Sequence, residues 1–368
     1  MHTMHPTLLV GPADWDAARL PQEEFDARLA AFWRACDPAI AGIVLFGSPM
    51  HHAELAYLTH FTPKLEPAIA LIPRDGEPRL LVGGGANMIG AARPLTFVAM
   101  LLPLREAGAT IARWSAEIGS LALVNGDAMP FALRHGIVAA LGATPPDATR
   151  VLAAAMRRKS PRELALIRDA CASLDAAFHA MRLAQHKGGA MTDVVLAGEA
   201  AAYARGAQDV RSLFGPDGRL APFTDTVAYG MSPLQVYLAI RHDGYWAEGF
   251  AAMASEGRPL GQAAMDILGA AVDRIRPGVA HRAVAQLLTD AVGPQRVHPV
   301  TRDSFGHSIG LALQEAGCLN RESDAVFAAG EVYTMRVGWR EGESLKLVSA
   351  MVAVTDHGHD VLWRGAAA

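Results

Sequence analysis

Cysteine is scarce in this chain. Only Cys36, Cys171 and Cys318 occur in 368 residues. They are widely spaced with no Cys-x-x-Cys, which argues against a disulfide framework and leads us to expect reduced thiols in a cytoplasm. An excess of one charge is also missing. The net charge of −4 gives no reason to expect nucleic acid or an anionic membrane as a partner. No uninterrupted apolar run reaches the ~18 residues of a membrane span. Met1 to Asp14 has no basic stretch followed by an apolar one, so no leader is expected. Gly83-Gly84-Gly85 lacks the Lys-Ser/Thr of a phosphate loop and fits a dinucleotide fingerprint poorly. No interleaving of basic and aromatic residues suits stacked bases.

What is present is a globular composition. Hydrophobic residues make up 51% and charged residues 19%, in a chain long enough for two domains. Phe25, Leu29, Phe32 and Trp33 recur at helical spacing, which predicts a helix over Gln22 to Cys36. Short apolar runs at Ala41 to Phe46, Pro67 to Ile72, Arg79 to Val82 and Leu121 to Val124 read as strands between turn residues. Their alternation with helices predicts an α/β domain over residues 1–150. The Pro-, Asp- and Thr-rich stretch from Pro145 to Val151 marks the cut, leaving 151–368 as a second domain.

The second domain opens on a strong helix start. Ser160 is placed to cap, Pro161 suits the first turn and Glu163 completes a capping box. Strands are expected at Thr226 to Ile240 and Tyr245 to Ala254, joined by the turn Asp243-Gly244. Helices follow at Leu260 to Ile275 and Arg282 to Val292, with final strands at Val332 to Val337 and Leu347 to Val354. Between them lies Gly306-His307-Ser308-Ile309-Gly310, one imidazole flanked by small residues, with Glu315 eight positions after His307. Glycines there allow close approach of backbone or ligand to the ring.

Several pieces occur in a telling order: Lys159-Ser160-Pro161-x-Glu163, Gly244-Tyr245-x-x-Glu248 and Arg276-Pro277-Gly278. Next come Gly306-His307-Ser308-Ile309-Gly310-Leu311, Gln314-Glu315 and Gly330-Glu331-Val332-Tyr333-Thr334-Met335, then the closing strand to Gly358. This order resembles the creatinase/prolidase/aminopeptidase P family, peptidase family M24. Leu55-Ala56-Tyr57-Leu58-Thr59-x-Phe61 is similar, more loosely, to the family's smaller N-terminal domain. The resemblance implies a creatinase-like α/β N-terminal domain, an α+β pita-bread C-terminal domain and a homodimer.

Family metallopeptidases hold two divalent ions with two Asp, one His and two Glu. Carried over position by position, those places fall at or near Tyr237, Glu248, His307, Arg336 and Ser349. Two of the five can ligate a metal, and Arg336 presents donors only. No metal and no other cofactor is therefore expected. Creatinase shares the fold and the central His without the ligand set, and Phe305-Gly306-His307-Ser308 resembles its version of the motif. However, Tyr229 to Pro233 lacks creatinase's essential loop His, and Glu66 stands about where its carboxylate-gripping Arg would be.

The expected function is that of a metal-independent hydrolase, or a related lyase, cleaving a C–N bond of a small polar substrate. His307, Glu248 and Glu315 are the candidate proton-handling residues. Arg336, Tyr237, Gln314, Glu66 and Lys64 are the candidate substrate-binding residues; in this family the loop carrying the last two can reach the partner subunit's site. The bland counterparts are a core histidine, a solvated Glu248, and Glu315 as an ion-pair partner of Arg336. Two other functions fit the same residues: an Xaa-Pro peptidase-like metalloenzyme with an altered metal site, and a non-catalytic binding protein.

Overall fold

The computed structural model describes residues 14–215, 220, 234–253, 262–293, 298–341 and 344–365. It divides into two compact units, Met1–Met156 and Arg157–Ala368. The division follows the helix Thr149–Met156, which belongs to the first unit, so a cut at 150 falls inside that helix.

The first unit contains α1 (Gln22–Ala35), β1 (Gly42–Gly47), α2 (Ala53–Thr59), β2 (Ala68–Pro73), β3 (Arg79–Val82) and α3 (Ala86–Ala92). It continues with β4 (Met100–Pro103), α4 (Ala107–Ile118), β5 (Leu121–Val124), α5 (Phe131–Leu141) and α6 (Thr149–Met156). The sheet order is β4-β3-β2-β1-β5, with β1–β5 and β3–β4 parallel and the other pairs antiparallel. Every residue of β1 and β2 is buried, which explains why both read as continuous apolar runs. Ile111 and Trp114 of α4 and Ile137 of α5 pack on Val44, Phe46, Ile69 and Leu71. Burial of side chains this size contributes about 1.5–3 kcal/mol each.

The second unit opens with α7 (Pro161–His186) and α8 (Met191–Ala204), followed by β6 (Ala207–Gly215), β7 (Leu234–His242) and β8 (Tyr245–Met253). It closes with α9 (Gln262–Val272), α10 (His281–Val292), β9 (Gly306–Ser308), β10 (Val332–Glu341), β11 (Ser344–Val354) and β12 (His359–Arg364). The capping box at Ser160 and Glu163 forms as the sequence predicts. Asp243 and Gly244, at φ 46° and 86°, make the tight turn between β7 and β8. β6 and β12 were not legible in the sequence. β6 is a partly exposed strand and β12 buries only Trp363, so neither carries clean apolar alternation. The expected start of β7 at Thr226, and the Tyr229 to Pro233 loop, lie outside the described residues.

Two sheets form, ordered β6-β7-β8 and β12-β11-β10-β9. They are stitched at β8 and β11, where the Phe250 amide donates to Ser349 Oγ at 2.7 Å. A Cβ on Gly249 would strike the Trp363 indole, so glycine is what lets that ring lie against β8. Period-two alternation then sorts β10. Tyr333, Met335 and Val337 enter a core with Leu268 and Val272 of α9 and Leu288 of α10. Thr334 and Arg336 are left on the opposite face.

Candidate active site

His307 sits on β9, in register with Thr334 of β10. Gly306 holds it there: a Cβ at 306 would collide with the Thr334 carbonyl oxygen. Arg336 lies two residues beyond Thr334 and is paired across the sheet with Ser349. Tyr237 and Glu248 come from the hairpin β7–β8. Four of the sequence-derived residues thus meet on one buried face.

Glu248 is the centre, only 2% exposed. Tyr237 donates its hydroxyl to Glu248 Oε2 at 2.7 Å. His307 Nε2 lies 3.2 Å from Glu248 Oε1, and an Arg336 terminal nitrogen lies 3.9 Å from the same oxygen. Arg336 is therefore inside the ~5 Å over which an opposite charge acts on a carboxylate. Neither contact is a well-formed hydrogen bond: Oε1 is buried with no directed donor among the described residues, and so is Arg336 Nε with no acceptor. Burial pushes the Glu248 pKa up, but His307, Arg336 and Tyr237 together outweigh it and hold the carboxyl below its usual range. The Tyr237 hydroxyl is driven the other way, raised by burial and by the Glu248 charge. His307 Nδ1 faces the Ser308 carbonyl at 3.2 Å. A carbonyl can only accept, so Nδ1 carries a hydrogen and Nε2 is the ring atom turned to Glu248. Phe250 walls the group, its ring 4.7 Å from that of Tyr237 and 5.9 Å from the Arg336 guanidinium carbon.

Glu315 is elsewhere. Its carboxylate pairs with Lys159 Nζ at 2.5 Å, with the two side chains 6% and 1% exposed, so Lys159 rather than Arg336 is its ion-pair partner. It also accepts from the Leu311 amide at 3.2 Å. Burial raises its pKa, and Lys159 offsets that only in part. A Cβ at Gly310 would collide with Glu315 Oε1, so the loop after His307 lies flat on this pair. Lys159 was visible in the sequence only as part of a helix start. Its pairing spans 156 residues and has no local pattern.

Gln314 is exposed, and its amide meets Cys318 Sγ at 3.9 Å rather than the Glu248 group. Lys64 and Glu66 belong to the first unit, where they line a shallow recess with Phe61, Met88 and Leu95. Ser349 Oγ serves as the acceptor for Phe250.

A dinuclear metal centre does not fit these donors. Among the described residues no three His, Cys, Asp or Glu converge. One carboxylate and one imidazole remain, with a guanidinium 3.9 Å from the carboxylate. A divalent ion about 4 Å from that guanidinium would meet a repulsion on the order of 8 kcal/mol at an effective dielectric of about 20.

The profile of the family described as metallopeptidase family M24 matches residues 148–356. Solved structures share the fold. Xaa-Pro dipeptidase from Bacillus anthracis is 19% identical with a TM-score of 0.74, the match covering 93% of this chain and 97% of that one. Dipeptidase PepE from Mycobacterium ulcerans is 21% identical with a TM-score of 0.74, covering 96% and 98%. Prolidase from Pyrococcus horikoshii is 15% identical with a TM-score of 0.75, covering 94% and 99%. No curated protein matches. With a family profile matched over more than half its length, the chain belongs to metallopeptidase family M24.

Proposed function

We propose that this protein is an M24-type hydrolase that cleaves an amide C–N bond in a small peptide-like substrate, using a polar buried site in place of a dinuclear metal centre. The observation that carries this is the complementary pair of unsatisfied atoms around Glu248. Among the described residues, Oε1 is a buried acceptor with no directed donor, and Arg336 Nε is a buried donor with no acceptor. An amide offers an N–H to the first and a C=O to the second. In hydrolysis, water adds to the carbonyl carbon, the C–N bond breaks and the departing nitrogen gains a proton. Arg336 would polarise the carbonyl oxygen, and His307 with Glu248 would carry protons between water and nitrogen. Glu315, tied to Lys159, would support the His307 loop rather than exchange protons with substrate.

Solved structures that share the fold include an Xaa-Pro dipeptidase, a dipeptidase and a prolidase. They support a dipeptide-like substrate over a creatine-like one. A second reading, a non-catalytic binding protein, draws on a specific observation: both candidate acids are already engaged, Glu248 by Tyr237 and Glu315 by Lys159. A homodimer, implied by the family resemblance, belongs to the proposal and is read by light scattering. The deciding experiment is elemental analysis of the purified protein. A screen of dipeptides, Xaa-Pro dipeptides, amides and guanidines follows, with and without chelator. Chelator-insensitive turnover of a dipeptide or amide, lost in Arg336→Met, is expected. Two tightly bound ions per chain, with activity lost on chelation, would overturn the metal-free reading. Ligand binding without turnover would favour the binding protein.

A further inference from the structure

We infer that Arg336 is a built-in cation, a guanidinium that takes over the charge balance of the Glu248 pocket and makes it refuse divalent metals. This deepens the proposed function and rests on the same pocket, but it needs no substrate to be tested.

Register fixes the geometry. Arg336 is held on β10 directly across from Ser349, two residues past the partner of His307, and its amide donates to the Phe305 carbonyl at 2.7 Å. The side chain has little freedom to leave. It is 16% exposed and lies beside the Phe250 ring. Its charge lies 3.9 Å from the one carboxylate of the cluster. Glu248 and Arg336 therefore sum to zero, and a divalent ion added to Oε1 would leave a buried excess of two positive charges. Two metal-competent side chains are nevertheless still in place. Glu248 Oε1 and His307 Nε2 are 3.2 Å apart, near enough for one ion to touch both, with bonds of about 2.0–2.2 Å. What bars the ion is the guanidinium, not the want of a first pair of ligands. Replacing Arg336 by Glu removes that charge and adds a third ligand from the same strand position.

The test is cobalt binding by equilibrium dialysis with elemental analysis, together with the visible absorption of bound Co²⁺. Wild type is expected to retain no stoichiometric cobalt. Arg336→Glu is expected to hold about one Co²⁺ per chain, in keeping with a His/Glu/Glu set. The double variant with His307→Ala is expected to fall back to the wild-type level. If Arg336→Glu fails to fold, Arg336→Gln decides: it removes the charge without adding a carboxylate and is expected to bind cobalt at least ~10-fold more tightly than wild type. Stoichiometric cobalt on wild type, or variants that fold and bind no better than wild type, would overturn the inference. Absence of turnover in every substrate screen would defeat the proposed function and leave this result standing.

Discussion

Lys159 and Glu315 form a buried ion pair that ought to be worth little in itself and a great deal when broken. Their side chains are 1% and 6% exposed. Removing one partner strands a charge out of water, which typically costs about 3–5 kcal/mol. Lys159→Met and Glu315→Leu should each lose that much. For a unit of this size the melting temperature should fall by roughly 6–20 °C. The double variant should behave differently. Burial raises the Glu315 pKa despite Lys159, so the charged carboxylate is disfavoured in the fold even when paired. Lys159→Met with Glu315→Leu should therefore be as stable as wild type or more so. Urea denaturation of wild type, both singles and the double closes the cycle. The pH dependence has a definite sign. A raised folded pKa contributes stability below the ordinary glutamate range that is lost as pH rises through the folded value. The stability of wild type relative to Glu315→Gln should decline over that interval. Singles within about 1 kcal/mol of wild type, or a double variant as unstable as the sum of the singles, would refute the reasoning.

Tyr237→Phe removes the 2.7 Å hydroxyl hydrogen bond to the buried Glu248 carboxylate. It should cost about 1.5–3 kcal/mol in thermal unfolding, as bonds to charged groups do. His281 is fully buried between Phe327 and Tyr333, and burial lowers its pKa to about 4. The neutral ring stabilises the fold above its ordinary range. That contribution should fade as pH drops from about 6.5 to about 4, by at most about 3 kcal/mol, and His281→Phe should flatten that part of the stability profile. Burial raises the Cys171 thiol to about 12 and also lifts Cys36, whereas Cys318 is partly exposed. A thiol reagent added to native protein should modify Cys318 first, with the other two reacting only on unfolding.

Local chemistry makes much of this protein legible in its sequence. Ser160, Pro161 and Glu163 specify a helix start through a cap that closes within four residues. Asp243-Gly244 specifies a turn because both residues tolerate positive φ. β1 and β2 declared themselves as unbroken apolar runs because both strands are buried along their whole length. The order of glycine and histidine motifs pointed to the family and so to Glu248, His307 and Arg336 as neighbours. The sequence could not reveal which charge answers which. Glu315 was open to Arg336 on paper, yet it pairs with Lys159 across 156 residues. Tyr237 meets Glu248 only because the β7–β8 register brings their two strands together. Ion pairs and hydrogen bonds between distant strands depend on sheet register and on which face each residue takes, and a one-residue slip would reverse every face. Residue types alone determined that this site is poor in metal ligands. Only the tertiary structure decided that the Arg336 guanidinium sits against the buried Glu248 carboxylate.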